Sequence, residues 1–341
     1  MVKLRQYLED VVCPRKLLVG GVASLALVAL GAVFLPGALT NALDQLSEAN
    51  RSWLLLGVVC LLASAIASAG IWHEGMSAAG RRASFGDACA RYAVGSIVNS
   101  FTPGRLGELA RIGLFAKTLP EEGRAWSAGG GVAAITAARA VALAAVLCAA
   151  VGLGAVPFWI VGVVLAIGAV GVALALVARH RFGLVRLERL LAAFRALGRD
   201  PRRSARLIAW ALAAAAARVV ALAAIAASLG VPSAFLVALI LMPALDVAGL
   251  ISLTPGNVGI SSGMTAVALA SHGVGLQLGL SAGIAVHAAE TAVGVGFGLV
   301  GVLALAPLTP IARRRIAYSL GAAASAAAFV ALAFELLPGI A

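Results

Sequence analysis

The stretch Ser100-Phe101-Thr102-Pro103-Gly104-Arg105-Leu106-Gly107 returns 152 positions later as Ser252-Leu253-Thr254-Pro255-Gly256-Asn257-Val258-Gly259. Both copies interrupt long apolar runs with residues that a membrane-spanning helix avoids. Pro103 and Pro255 lack an amide hydrogen and clash with a preceding helical turn. Gly104 and Gly256 open turn conformations closed to other residues. Thr-Pro-Gly therefore reads as a tight reversal followed by a new helix start. Irregular backbone at membrane depth is tolerated only when it is buried in protein or lines a watery cavity. Broken segments in corresponding places of two half-sequences point to a transporter's binding site.

Working outward, the composition demands a bilayer. The chain is 62% hydrophobic and 12% charged, with a mean hydropathy of +1.03, against about 45–50% apolar and about 25% charged in soluble domains. No stretch is long and polar enough for a soluble catalytic module, and the 341 residues read as one membrane domain. The net charge of +12 sits in clusters between apolar runs, as in cytoplasmic loops, which argues against nucleic-acid binding. Cys13, Cys60, Cys89 and Cys148 form no CxxC pair, so neither a disulfide framework nor a metal site is indicated. They read as small packing residues.

Runs able to cross a ~30 Å hydrocarbon core fall at 17–39, 53–73, 126–154, 156–178, 207–230, 278–306 and 317–338. Two further apolar stretches, 85–116 and 234–271, carry the TPG motifs. The run 17–39 exceeds the ~7–15 residues of a signal-peptide core and reads as a retained anchor. The expectation is an all-α polytopic membrane protein with about 7–9 transmembrane segments.

Basic residues then orient it. Arg81, Arg82, Arg91, Lys117 and Arg124 flank the first TPG stretch, nine arginines lie between Arg179 and Arg206, and Arg313 to Arg315 form a third cluster. The connections 155–157, 230–233 and 271–277 hold no Lys or Arg. The positive-inside rule predicts a cytoplasmic N-terminus in the cell membrane and an external C-terminus. That holds only if each TPG stretch leaves on the side it entered, the first from the cytoplasm and the second from outside. Shifting by 152 carries 53–73 onto 205–225 and 126–154 onto 278–306. The expected organisation is an inverted repeat with two re-entrant loops: an extra N-terminal span at 17–39, repeat 1 at 53–178, a basic cytoplasmic connector at 179–206, and repeat 2 at 207–338.

Helix N-termini at the two reversals would present free amides and positive dipole ends to an anionic group. Charges deep in a span are costly and mark function. Arg139 lies mid-run in 126–154, and its shifted position, 291, is one residue from Glu290. His287 precedes Glu290 by three residues on the same helical face. One reading has Arg139 holding an anionic headgroup while His287 and Glu290 accept a proton or a cationic portion. The other has Arg139 and Glu290 paired to set bundle register. Arg105, Glu108 and Arg111 have no charged counterpart in the second copy, where Asn257, Ile260 and Gly263 stand. They read as a charged cytoplasmic entrance or as solvated loop charge. Arg218 and Asp246 are candidate pathway residues or a structural pair.

The pattern Asn99-(x)3-Pro103-Gly104-Arg105-(x)-Gly107-Glu108-(x)2-Arg111 resembles the first signature of the lysylphosphatidylglycerol synthase transmembrane-region family, also called flippase-like. Thr254-Pro255-Gly256-(x)2-Gly259 resembles its second signature, and Arg139 matches the arginine of the following span. The similarity runs from about 15 to 340. The resemblance implies a domain that moves modified phospholipids or lipid-linked sugars between leaflets. Members fused to an aminoacyl-transferase also make the lipid, and that module is missing here. Two positions depart from the pattern: Ala138 replaces an acidic residue beside the arginine, and Ser261-Ser262 stand where an acidic residue follows the second motif.

Three functions compete. A flippase would take an anionic lipid or lipid-linked substrate; with no GxxxxGK[ST] motif, a gradient, the membrane potential or product trapping would drive it. An integral-membrane transferase using a lipid-phosphate donor would need a base or metal-binding carboxylates. Glu108 and Asp87 are available, but no carboxylate pair or HExxH is present. A scaffold would serve a partner lipid synthase or glycosyltransferase, with homo-oligomer formation open. The first reading is preferred, with no cofactor, no metal and no catalytic residue assigned.

Overall fold

The computed structural model describes residues 44–45, 47–80, 84–102, 106–121, 123–159, 162, 184–250 and 258–306. The expected spans 17–39 and 317–338, most of 156–178, and the central motif residues Pro103, Gly104, Arg105, Thr254, Pro255, Gly256 and Asn257 lie outside them.

The described residues form nine helices: α1 Arg51–Ala78, α2 Phe85–Phe101, α3 Leu106–Ala116, α4 Arg124–Gly152, α5 Leu184–Arg199, α6 Pro201–Ser228, α7 Ala234–Leu250, α8 Val258–Ala270 and α9 Leu276–Leu305. Of these, α1, α4, α6 and α9 are long and apolar enough to cross a membrane. Each apolar stretch bearing a TPG motif is instead split into two shorter helices, α2–α3 and α7–α8. The first break has a local cause. Thr102 is extended (φ −120°, ψ 144°), as the residue before a proline is pushed to be. Its hydroxyl donates back to the carbonyl of Val98 at 2.7 Å.

Local sequence sets the other boundaries too. Asn50 caps α1 by accepting from the amides of Ser52 and Trp53, and Ser84 caps α2 through the amide of Asp87. The basic connector, expected as a loop or surface helix followed by a span at 207, holds one helix and the start of the next. Helix α5 occupies Leu184–Arg199, and α6 already starts at Pro201. Asp200 accepts from the amide of Arg203 at 3.1 Å, and proline is suited to a first helical position. Arg202, Arg203 and Arg206 thus belong to the first turns of a long apolar helix.

The bundle has two distinguishable ends. At the basic end, Arg206 of α6 meets Glu74 of α1 at 3.0 Å, and Phe85 stacks on Trp210. At the far end, the amide of Asn50 donates to the carbonyl of Ser228 at 2.8 Å, and His272 reaches the carbonyl of Ala155. Helices α1 and α6 are therefore antiparallel and form the most extensive contact, followed by α2 against α9. Arg91 near the start of α2 donates to the carbonyl of Leu114 near the end of α3, and Phe115 packs on Trp72. The α2–α3 hairpin therefore opens at the basic end. The α7–α8 hairpin opens at the far end, where α7 follows the Gly230 turn and α8 leads to His272.

Small residues permit this packing. A Cβ at Gly107 would collide with the carbonyl of Gly95 and the side chain of Asn99, so α2 and α3 close only over glycine. Buried alanines such as Ala69, Ala88, Ala138, Ala221 and Ala238 play the same part across the core, as small residues do wherever membrane helices approach closely. Exposed apolar side chains, among them Leu55, Val59, Val141 and Val300, cover the outside. Gly107→Val is expected to lower the melting temperature in detergent, at a cost of about 1–3 kcal/mol from overpacking. Gly129→Ala, where a Cβ meets open space, should leave it unchanged or raise it.

Candidate functional site

Six charged side chains lie inside the bundle in two groups of three, and their pairing is not the one expected. Arg139 and Glu290 do not pair with each other. Arg139 of α4 contacts Glu108 of α3 at 3.0 Å, while Glu290 of α9 contacts Arg218 of α6 at 3.0 Å. The near-coincidence of Arg139 and Glu290 under the 152-residue shift did not account for partners on α3 and α6. Each charge found its counterion within its own half.

The first group is built on the α2–α3 hairpin. Glu108 sits in the first turn of α3, where a carboxylate is favoured by the helix dipole. It is shared by Arg111, at 2.5 Å, and Arg139. Arg111 is neither solvated loop charge nor an exposed entrance, because its side chain is 7% exposed. Its guanidinium also donates to Ser96 Oγ at 2.8 Å and to the carbonyl of Tyr92. It lies 3.9 Å from the centre of the Tyr92 ring, a favourable cation–π geometry. Arg139 is the more open member at 38% exposure.

The second group joins three helices. Arg218 reaches Asp246 of α7 at 2.7 Å with one guanidinium nitrogen and Glu290 with the other. Asp246 follows Pro243, which stands inside α7 and leaves the carbonyl of Leu239 without its i+4 donor. His287 lies one turn before Glu290, with Nε2 3.4 Å from Thr291 Oγ1. Arg111, Glu108 and Arg139 thus form one group on α3 and α4, and Asp246, Arg218 and Glu290 a second on α7, α6 and α9, with α4 and α7 packed together. At 1.5 Å per residue, Arg139 and Glu290 each lie more than a dozen residues from both ends of their helices, close to mid-bundle.

The side-chain Oδ1 of Asn99 is buried and has no hydrogen-bond partner among the described residues, and it lies beside Gly107 at the hairpin tip. Thr102, three residues further on, is buried as well. Gly107 closes the hairpin, and Gly259 falls in the first turn of α8. Where acidic residues were absent, Ala138, Ser261 and Ser262 are buried. Tyr92 and Ser96 were not singled out from the sequence. Their spacing of four with Asn99 three further on places all three along one face of α2, which was the available signal.

A model of the family described as lysylphosphatidylglycerol synthase TM region matches residues 18–298, stopping short of the 340 expected. No curated protein and no solved structure matches the chain. Removing Arg218 would leave Asp246 and Glu290 facing each other across its vacated position. Arg218→Ala is expected to destabilise strongly, toward the low end of the ~3–5 kcal/mol for breaking a buried pair, since the three side chains keep 26–36% exposure. Arg139→Ala should cost less, because Glu108 retains Arg111. Thermal melts of the two variants check the order.

Proposed function

As the chain belongs to the lysylphosphatidylglycerol synthase TM region family, we propose that it moves a lipid with an anionic headgroup, a modified phospholipid or a polyprenyl-linked glycan, across the cytoplasmic membrane. The observation that carries this reading is the six paired charges inside the bundle, held in two groups of three. The most open cation among them is Arg139. A phosphate arriving there would find a guanidinium and, through Glu108 in its first turn, the nearby α3 N-terminus, which together suit an oxyanion. The acyl chains would stay in the bilayer while the headgroup passes between the hairpin tips.

An inverted repeat supports alternating exposure of that site. Adding 152 to the bounds of α1, α2, α3 and α4 gives 203–230, 237–253, 258–268 and 276–304, close to α6, α7, α8 and α9. The matched pair α1 and α6 run in opposite directions, and the hairpins α2–α3 and α7–α8 open at opposite ends. With basic residues on the cytoplasmic face, each hairpin is a re-entrant element and the N-terminus is cytoplasmic. Transport rather than catalysis is favoured because the carboxylates near the site are all engaged by arginines. A lipid synthase or glycosyltransferase would supply the substrate.

Leaflet translocation of fluorescent anionic, aminoacylated and polyprenyl-phosphate lipids in proteoliposomes tests the proposal. Wild type should move at least one class, and Arg139→Ala should slow that movement about ten-fold or more, as loss of a charge-assisted contact worth about 1.5–3 kcal/mol requires. A well-folded wild type that moves none of the three would overturn the transport reading.

A further inference from the structure

The turn between α5 and α6 carries charge that neither the packing nor the two interior groups use. Arg195, Arg199, Arg202, Arg203 and Arg206 fall within twelve residues of it. Glu74 holds Arg206 at 3.0 Å, and Asp200 lies 3.8 Å from Arg203. Arg195, Arg199 and Arg202 are exposed, and among the described residues no carboxylate pairs with them. The Nε of Arg203 is buried and makes no hydrogen bond among the described residues. Three cations thus stand without counterions at the basic end of the bundle, and a fourth keeps an unused donor.

Beside this turn lies a groove of about 150 Å³ between α4, α5 and α6. Across it, Ala137, Ala138 and Val141 of α4 face Phe194 and Leu197 of α5 and Leu207 of α6. Ser204 lines it too, but its hydroxyl is donated to the carbonyl of Leu197 at 2.8 Å, so the walls present an apolar surface. The same bond ties the groove to the turn. Leu197 and Ser204 both line the groove, and the residues between them include Arg199, Arg202 and Arg203. Ala137, Val141 and Phe194 are exposed, so the groove opens to the outside of the bundle. An apolar cavity of this size holds a hydrocarbon as large as benzene, which corresponds to about six carbons of a chain.

We propose that the turn and the groove form a binding site for an anionic phospholipid of the cytoplasmic leaflet. Its phosphate lies on Arg199 and Arg202, and part of one acyl chain lies between α4, α5 and α6. The charge and the shape select this occupant together: a soluble anion would leave the groove unfilled, and a neutral lipid would leave the cations unmatched. Helix α5 suits the membrane surface, with Ala193 and Leu197 buried and Arg195 and Arg199 exposed, the pattern of helices that lie in the interface and attract anionic lipids. The site is separate from the interior charges. Ala138 lines the groove, whereas the guanidinium of the next residue, Arg139, turns to Glu108 on α3. The proposal takes the orientation of the basic end from the reading above and does not depend on transport.

The test places the full chain in phosphatidylcholine nanodiscs with a phosphatidylglycerol probe bearing a diazirine in one acyl chain. Labelled residues are then read by mass spectrometry. Label is expected on the groove walls at Val141 and Phe194, and unlabelled phosphatidylglycerol should compete it away. Arg199→Gln/Arg202→Gln should raise the probe concentration for half-maximal labelling about ten-fold or more, while Arg199→Lys/Arg202→Lys keeps most of the affinity. Ala137→Phe should block the label at Phe194 without lowering the melting temperature, because position 137 is exposed. Competition by phosphatidylcholine as strong as by phosphatidylglycerol would overturn the role of the arginines. Competition by glycerol phosphate equal to that by the lipid would make this a plain anion site and overturn the chain's place in the groove. Walls that stay unlabelled, with a cysteine at Val141 forming a disulfide to one placed within 156–178, would assign the groove to the chain's own segment and overturn the proposal. None of these readouts requires lipid to change leaflet, so a failure of transport leaves them standing.

Discussion

Charge neutrality inside an apolar bundle is the constraint on which the rest of the structure depends. An isolated charge in hydrocarbon is costly, and these helices bring six into the interior. The chain meets that cost by distributing counterions over different helices. Arg139 on α4 needs Glu108 on α3, and Arg218 on α6 needs Asp246 on α7 and Glu290 on α9. Each pair ties a long helix to a hairpin or to another long helix. The charges therefore define which helices must be neighbours, in a setting where apolar surface alone discriminates poorly between partners.

Small side chains make that arrangement reachable. Glutamate and arginine can meet across α3 and α4 only if the hairpin below them closes tightly, and Gly95 and Gly107 allow it to. The α2–α9 contact depends likewise on Gly298 and Gly301 against Ile97 and Ala90. Packing and electrostatics thus converge on the same hairpin. Its tip carries the Asn99 oxygen, unpartnered among the described residues, and the first turn of α3 carries the shared carboxylate.

Much of this was legible in the residues. Hydropathy located the four long helices to within a few residues at most ends, and Pro103 and Pro255 marked where two further apolar stretches break into pairs. The intramembrane charges were legible one by one, because any such residue is conspicuous against an apolar background. Their pairing was not. The 152-residue shift relates positions in the two halves, but a salt bridge depends on which helices are adjacent and on the rotation of each, and neither follows from a linear offset. Nor did the sequence separate the buried Arg111 from the more open Glu108. The burial of Arg111 comes from Tyr92 and Ser96, which face it only once α2 and α3 fold together. Within the connector the start of α6 was the less legible part: Asp200 and Pro201 open that helix ahead of the apolar run at 207, and the long stems of Arg202, Arg203 and Arg206 suit its passage toward apolar surroundings.

Helices α1 and α6 are fastened at both extremities, through the Asn50–Ser228 backbone bond at one and the Glu74–Arg206 pair at the other. Joined at both tips and packed along their lengths, the two resist sliding and splaying. That suits the pair as the frame of the bundle, the reference against which a labelled α3 or α8 would show its travel.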